Sequence, residues 1–250
     1  MTGVLPIALE NAVKSMPVLM GLSKEYVGVM HLHKEIDEQL LRNAVLKFIG
    51  KIVQIPPVKS AVSRKPRERE VYFFDILEIE GKDVLFKVGC QAGTYIRKLC
   101  SDLGAALSIG AHLSELRRTR VGNFTEEQSH SLLEIKDAYD SWKEGDEKLL
   151  REILIPVEHA ILHVKRVFVK DSTIDSICHG SPIYASGLAR IQDGIEKNGT
   201  VAVYSLKGEL IALGFSKMNS NEMFERSKGV AVRTDRVFIE KGTYPKSWSV

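Results

Sequence analysis

Apolar positions recur along the chain at periods that divide most of it into elements. Leu5–Ala12, opened by Pro6 at a first-turn position, has helical spacing and predicts a short helix. Glu25–His33 places Val27, Val29 and Leu32 in a β-favouring setting and predicts a strand. Asp37 is positioned to cap a helix whose Leu40, Leu41, Ala44, Val45 and Phe48 share one face, with Gly50 as its stop. Lys51–Ile55 reads as a short strand ended by Pro56-Pro57, and Val58–Arg69 is too polar to pack and reads as a loop. Glu70–Glu80 and Asp83–Gln91 flank Glu80-Gly81-Lys82 and predict a hairpin. Thr94–Leu107 has the clearest amphipathic pattern, with Ile96, Leu99, Cys100, Leu103 and Leu107 on one side. Leu113–Gly122 reads as an arginine-studded strand and Glu126–Leu154 as acidic helix.

Beyond Pro156 the texture changes. Lys165–Val169, Thr200–Leu206, Glu209–Lys217 and Val230–Phe238 are short strands separated by Gly, Asp and Asn turn signals, interrupted by a helix at Ser172–Cys178. That pattern predicts a separate small β-barrel. The expected domains are 1–162 and 163–243 with a tail at 244–250, the border falling near Leu162–Lys165.

A 44% hydrophobic and 27% charged composition is ordinary for a folded globular chain. No apolar run is long enough for a transmembrane helix, and Met1–Leu9 lacks the basic flank and cleavage site of a signal peptide. Three scattered cysteines (Cys90, Cys100, Cys178) form no disulfide framework, which points to a reducing, cytoplasmic setting. The net charge of +3 is modest, but its distribution is not even. Lys59, Arg64, Lys65, Arg67 and Arg69 stand against Glu68 alone, and Arg117, Arg118 and Arg120 against Glu115, whereas Glu126–Glu147 is strongly acidic. The basic stretches suit a polyanion, because each cation that neutralises a phosphate releases counterions. Arg118 and Arg120, two residues apart on a strand, are expected on one face.

Candidate chemistry is sparse. Gly93-Thr94-Tyr95-Ile96-Arg97 opens a helix from a glycine turn, where free N–H groups can hold an anion. Arg97 beside apolar Ile96 would need a carboxylate or phosphate partner if it pointed inward; otherwise it is a solvated arginine behind a capping threonine. Tyr26 offers a ring on which a base could stack, or simply a core side chain. His31 with His33, and His159 with His163, lack a third ligand at metal-binding spacing, and no phosphate loop, dinucleotide fingerprint or nucleophile elbow occurs. Neither a metal nor a nucleotide cofactor is expected. From the residues alone the chain reads as a two-domain, cofactor-free nucleic-acid-binding protein.

Taken together, several segments are familiar. Thr2-Gly3-Val4-Leu5-Pro6, Lys24-Glu25-Tyr26, Pro56-Pro57 with Ser60-Ala61-Val62, Gly93-Thr94-Tyr95-Ile96-Arg97, Gly110-Ala111-His112 and Leu116-Arg117-Arg118-Thr119-Arg120 follow one another as in TruB/dyskerin-type pseudouridine synthases. His179-Gly180-Ser181-Pro182 and Lys228-Gly229-Val230-Ala231 resemble a PUA domain, and the combination is closest to the archaeal box H/ACA subunit. The resemblance implies an α+β fold, a catalytic sheet followed by a PUA barrel. It also implies RNA-guided conversion of uridine to pseudouridine in rRNA, without cofactor or metal. The implied partners are a guide RNA, the substrate rRNA (or a tRNA) and other H/ACA proteins, with no membrane. A stand-alone tRNA enzyme and a non-catalytic RNA scaffold are the alternatives.

By the same resemblance, Tyr26 stacks on the target uracil, Tyr95 lines the pocket, Leu116 packs against the base, and Arg97 pairs with a catalytic aspartate. Val58–Arg69, with Lys59, Arg64, Lys65, Arg67 and Arg69, forms a loop over the RNA, and Arg118 and Arg120 add charge. In the PUA unit, His179, Gly180 and Arg190, within His179–Pro182 and Tyr184–Arg190, face the guide. The family aspartate lies in a GTLDP-like segment just before the stretch matching Thr2–Pro6, which places it upstream of Met1. Asp102 is no substitute, lying about 140° round the helix from Arg97. The chain is therefore expected to be N-terminally truncated and without turnover alone.

Overall fold

The computed structural model describes residues 2–56 and 63–245, and the chain divides by contacts into two units. One comprises Met1–Ile7 with Leu19–Ile153, the other Ala8–Val18 with Leu154–Val250.

The first unit is a seven-stranded sheet. Its strands are β1 (Thr2–Gly3), β2 (Lys24–Leu32), β3 (Gly50–Gln54), β4 (Arg67–Glu80), β5 (Asp83–Cys90), β6 (Ala111–Val121) and β7 (Phe124–Thr125). They lie in the order β1-β6-β2-β5-β4-β3, with β7 on β6. Every pairing is antiparallel except β1 with β6. The chain's helices up to residue 153 are α1 (Met16–Met20), α2 (Glu38–Leu46), α3 (Ile96–Ala106), α4 (Leu132–Lys143) and α5 (Lys148–Ile153). Asp37 caps α2 as expected, its carboxylate accepting from Leu40 N. The apolar stripes of α2 and α3 bury Leu41, Val45, Ile96, Leu99 and Leu103 against Met30, Val71, Phe74, Val84 and Phe86 of the sheet. Such aliphatic and aromatic side chains gain roughly 1.5–3 kcal/mol each on full burial, enough to fix which faces meet.

The second unit is a six-stranded sheet in the order β10-β8-β11-β12-β13-β9. Its strands are β8 (Lys165–Val169), β9 (Ile183–Tyr184), β10 (Leu188–Ile191), β11 (Thr200–Tyr204), β12 (Leu210–Ser216) and β13 (Val230–Val237), with α6 (Asp171–Cys178) and α7 (Ser220–Glu225). Val167, Val169, Ile174, Ile177, Val203 and Ile211 form its core.

Several elements differ from the sequence expectation. Leu5–Leu9 is not helical; a 3-10 turn runs from Glu10 to Ser15 and continues into α1. Its apolar residues Leu5, Ile7 and Leu9 are exposed, so no face was available to nucleate a helix there. The expected loop Val58–Arg69 ends earlier, because Arg67–Arg69 pair with β3 as the start of β4. Residues 57–62, Lys59 among them, lie outside the described residues. By contacts the second unit runs from Leu154 onward and takes in Ala8–Val18. Lys14 Nζ donates to Val237 O (2.6 Å) and Arg236 donates to Lys14 O (3.3 Å), long-range bonds that local periodicity does not encode. Tyr244, placed in the tail by sequence, is buried in the second core.

Candidate active site

A cleft of about 300 Å³ opens between the start of α3 and strands β2 and β6, lined by Tyr26, Thr94, Tyr95, Ile96, Arg97, Leu113, Ser114 and Leu116. All four residues expected at an active site, Tyr26, Tyr95, Arg97 and Leu116, meet there although they come from three separate elements. Pairing explains the convergence. Tyr26 lies beside Arg118, and Gly28 beside Leu116, in the β2–β6 register. A Cβ on Gly28 would lie 3.1 Å from Leu116 Cδ1 and 2.8 Å from Phe86 Cζ, so the bare glycine leaves room for the leucine at the cleft floor.

Tyr26 is half-buried, and burial, reinforced by Cys90, pushes its phenol upward against the pull of the Arg118 guanidinium. It therefore stays a neutral hydroxyl on a flat, partly dry ring, the form suited to stacking. On β5, burial pushes the Cys90 thiol up to about 11. Lys24 is lowered by burial and then by Arg118, while Nζ donates to Met20 O (2.7 Å) and Leu22 O (2.8 Å).

Of the two orientations open to Arg97, the structure shows the outward one. Its side chain is exposed at the rim of the cleft rather than buried beside Ile96, which alone of the two points into the core. Nor is Thr94 the helix cap, since its hydroxyl donates back to Gln91 O (2.8 Å) and Tyr95 occupies the N-cap position. Among the described residues lining the cleft, none carries a carboxylate. Asp102 is engaged with Lys98 on the same helix.

The arginines of β6 also differ from expectation. A register shift between Glu25 and Tyr26 sets Arg120 opposite Glu25 and Arg118 opposite Tyr26. Consecutive strand residues face opposite ways, so Arg118 and Arg120 sit on opposite faces instead of sharing one. Arg118 Nε donates to Val4 O (2.7 Å), and its own carbonyl accepts from Val4 N (2.8 Å), which anchors β1. Arg120 lies 3.5 Å from Glu25 Oε2, Thr119 Oγ1 donates to Glu25 Oε1 (2.8 Å), and Arg117 pairs with Glu126. Arg64 and Lys65 are exposed and Arg67 half-exposed, while Arg69 Nε is covered by the Gly93 turn, with NH1 donating to Glu68 O (2.7 Å).

In the second unit His179 and Gly180 are exposed at the end of α6, where His179 Nδ1 bonds Asp175 O (2.8 Å). Arg190 lies 5.2 Å from the centre of the Phe168 ring. Histidines from two strands meet in the first unit. His33 Nε2 and His112 Nδ1 share a 3.0 Å hydrogen bond, and His31 Nδ1 is 2.7 Å from Asp83. Among the described residues, no group of three His, Cys, Asp or Glu side chains is placed to hold a metal ion. No described helix is long and apolar enough to cross a membrane.

Sequence reasoning missed Gln54. Its carboxamide is almost fully buried and brackets the backbone of Tyr95. A polar residue ending an otherwise alternating strand, just before Pro56, was the available signal.

Residues 33–96 match the family model described as TruB family pseudouridylate synthase (N terminal domain), 97–162 that of the tRNA pseudouridylate synthase B C-terminal domain, and 165–238 the PUA domain. A probable tRNA pseudouridine synthase B of Methanopyrus kandleri is 50% identical over all of this chain and 74% of its own length. One from Methanocaldococcus jannaschii is 48% identical over 99% and 74%. Among solved structures, a chain of a Cbf5-Nop10-Gar1 complex superposes with a TM-score of 0.92 at 46% identity, covering 98% of this chain and 75% of that one. A chain of an H/ACA RNP bound to a substrate RNA containing 2'-deoxyuridine gives 0.89 at 43%, covering 96% and 74%. At such identity over nearly its whole length, the chain belongs to the TruB family of pseudouridine synthases and carries a PUA domain.

Proposed function

We propose that this chain receives a target uridine of ribosomal RNA for isomerisation to pseudouridine, directed by a guide RNA and assisted by other box H/ACA proteins. The observation that carries this reading is the joining of Tyr26, Tyr95, Arg97 and Leu116 around one cleft. The likeness to chains solved in a Cbf5-Nop10-Gar1 complex and in a substrate-bound H/ACA RNP supports the guided setting.

The chemistry explains the residue types. A glycosidic bond within paired RNA is out of reach, so the nucleotide flips and its base is held by stacking, worth about 1–3 kcal/mol per base. Tyr26 supplies the ring and Leu116 the apolar floor. In the isomerisation the N1–C1′ bond breaks, the uracil turns, and C5–C1′ forms; the C5 proton leaves and N1 gains one. A carboxylate assists at the ribose, as the resemblance implies, and Arg97 at the rim would hold it ionised by Coulomb attraction. Tyr26, Tyr95 and Leu116 receive the uridine and position it for that step. In this reading Arg64, Lys65, Arg67 and Arg69 attract the RNA backbone, and His179, Gly180 and Arg190 are the PUA residues that meet the guide.

Tritium release from 5-tritiated uridine, or a pseudouridine-specific primer-extension stop, tests this in reconstituted particles with guide RNA. The expected result is RNA binding and pseudouridine formation that both depend on the guide. Product formed equally well without the guide would refute the guided reading. The curated relatives' name favours a second reading, a tRNA enzyme acting without guide. Modification of a tRNA stem-loop in a guide-free reaction would establish it.

A further inference from the structure

The geometry points to Gln54 as a positioning residue that sets Tyr95, and with it the wall of the uridine cleft; this rests on the reading of that cleft given above. Gln54 ends β3 and is 2% exposed. Its Oε1 accepts from Tyr95 N (2.9 Å) and its Nε2 donates to Tyr95 O (3.2 Å). One carboxamide thus closes a two-point ring with the N–H and C=O on either side of one residue's Cα, as a neighbouring strand would.

Tyr95 needs such a partner. It is the N-cap of α3, extended at φ −93° and ψ 101°, and has no side-chain cap. Its N–H points away from the helix ladder, so without Gln54 a donor would be left unpaired beside a buried wall. Its carbonyl already accepts the first bond of α3, from Leu99 N (3.0 Å). Gln54 therefore fixes both the entry angle of Tyr95 and the start of the helix that carries Ile96 and Arg97 into the cleft. The glutamine's own side chain is not among the cleft-lining residues, so it acts through Tyr95 rather than on the base.

Gln54→Met keeps the length and volume of the side chain but removes both hydrogen bonds. Gln54→Glu keeps the acceptor, and burial beside the Tyr95 carbonyl favours its protonated form, whose O–H replaces the amide donor. Amide exchange in the free protein is the first readout. Tyr95 N–H is expected to exchange at least tenfold faster in Gln54→Met and near the wild-type rate in Gln54→Glu, while Leu103 in the same helix is unchanged. The second readout is the 19F resonance of 5-fluorouridine at the target position of a guide-bound substrate RNA. The expected result for Gln54→Met is loss of the bound-state shift, with RNA affinity within about threefold of wild type. A Gln54→Met protein with wild-type Tyr95 exchange overturns the inference, as does one that keeps the bound-state shift. A wild-type protein showing no bound-state shift overturns the cleft reading instead, and Tyr95 exchange then decides the role of Gln54 by itself. If Gln54→Met fails to fold, unequal exchange at Tyr95 between wild type and Gln54→Glu, faster than tenfold in the latter, overturns the acceptor role.

Discussion

Replacing Gly104 by alanine sets helix propensity against packing. Gly104 lies where α3 crosses β6, and a Cβ there would stand 2.2 Å from Ala111 N and 2.6 Å from Ala111 Cβ. Ordinary contact begins at 3.4 Å, so helix and strand must part locally by about 1.2 Å. The obstacle is backbone, which cannot rotate aside. Overpacking of this kind costs typically about 1–3 kcal/mol, sometimes more, whereas alanine gains about 0.8–1.0 kcal/mol over glycine in a helix. Because the contact is backbone at 2.2 Å, the upper half of that cost applies and packing wins, for a net loss of roughly 1–2 kcal/mol. With a urea slope near 2 kcal/mol/M, the midpoint should fall by about 0.5–1 M. The same displacement separates the two walls of the cleft, since α3 carries Ile96 and Arg97 while β6 carries Leu113 and Leu116. A shift of about 1 Å can cost on the order of 100-fold in a reaction that depends on alignment, so the 19F shift of a bound 5-fluorouridine should shrink as well. A Gly104→Ala protein with an unchanged or higher urea midpoint would refute the close-approach reasoning, because propensity alone would then have decided the outcome.

Three further outcomes are expected. Tyr26→Ala should weaken binding of RNA carrying the flipped target by about 1–3 kcal/mol while Tyr26→Phe stays close to wild type, measured by filter binding; equal losses would place the contribution in the hydroxyl and not the ring. Changing Arg64, Lys65 and Arg67 together to alanine should flatten the dependence of log affinity on log salt by about 2–3, and an unchanged slope between low and moderate salt would remove them from the interface. Burial raises the Cys90 and Cys100 thiols from the ordinary 9.0 to about 11 and about 12. The folded state thus holds these protons longer than the unfolded one, so their stabilisation is complete below pH 9.0 and is lost as pH rises toward 11 to 12. The urea midpoint should fall over that range by less in a Cys90→Ala/Cys100→Ala protein; identical falls in both would show that other groups carry the effect.

The period of the apolar residues determined β2, the β4–β5 hairpin, α2 and α3, because each buries one continuous stripe and the period follows from the backbone. The motif at Gly93–Arg97 and the ring at Tyr26 were visible as residues, but only the resemblance to the TruB family put them, with Leu116, in a common site. Tertiary structure decided how these pieces face one another. The register shift at Glu25–Tyr26 turned Arg118 toward Val4 and Tyr26 and left Arg120 with Glu25, although the spacing of the two arginines predicts one face. Arg97 emerged at the rim because only Ile96 falls on the buried stripe of α3. Ala8–Val18 joined the second unit through bonds to residues more than 200 positions away, and Gln54 gained its meaning from a peptide 41 positions later. A chain's periodicity states which residues seek burial; it carries no record of which distant backbone group will satisfy a particular donor, because that partner exists only after the sheet has closed.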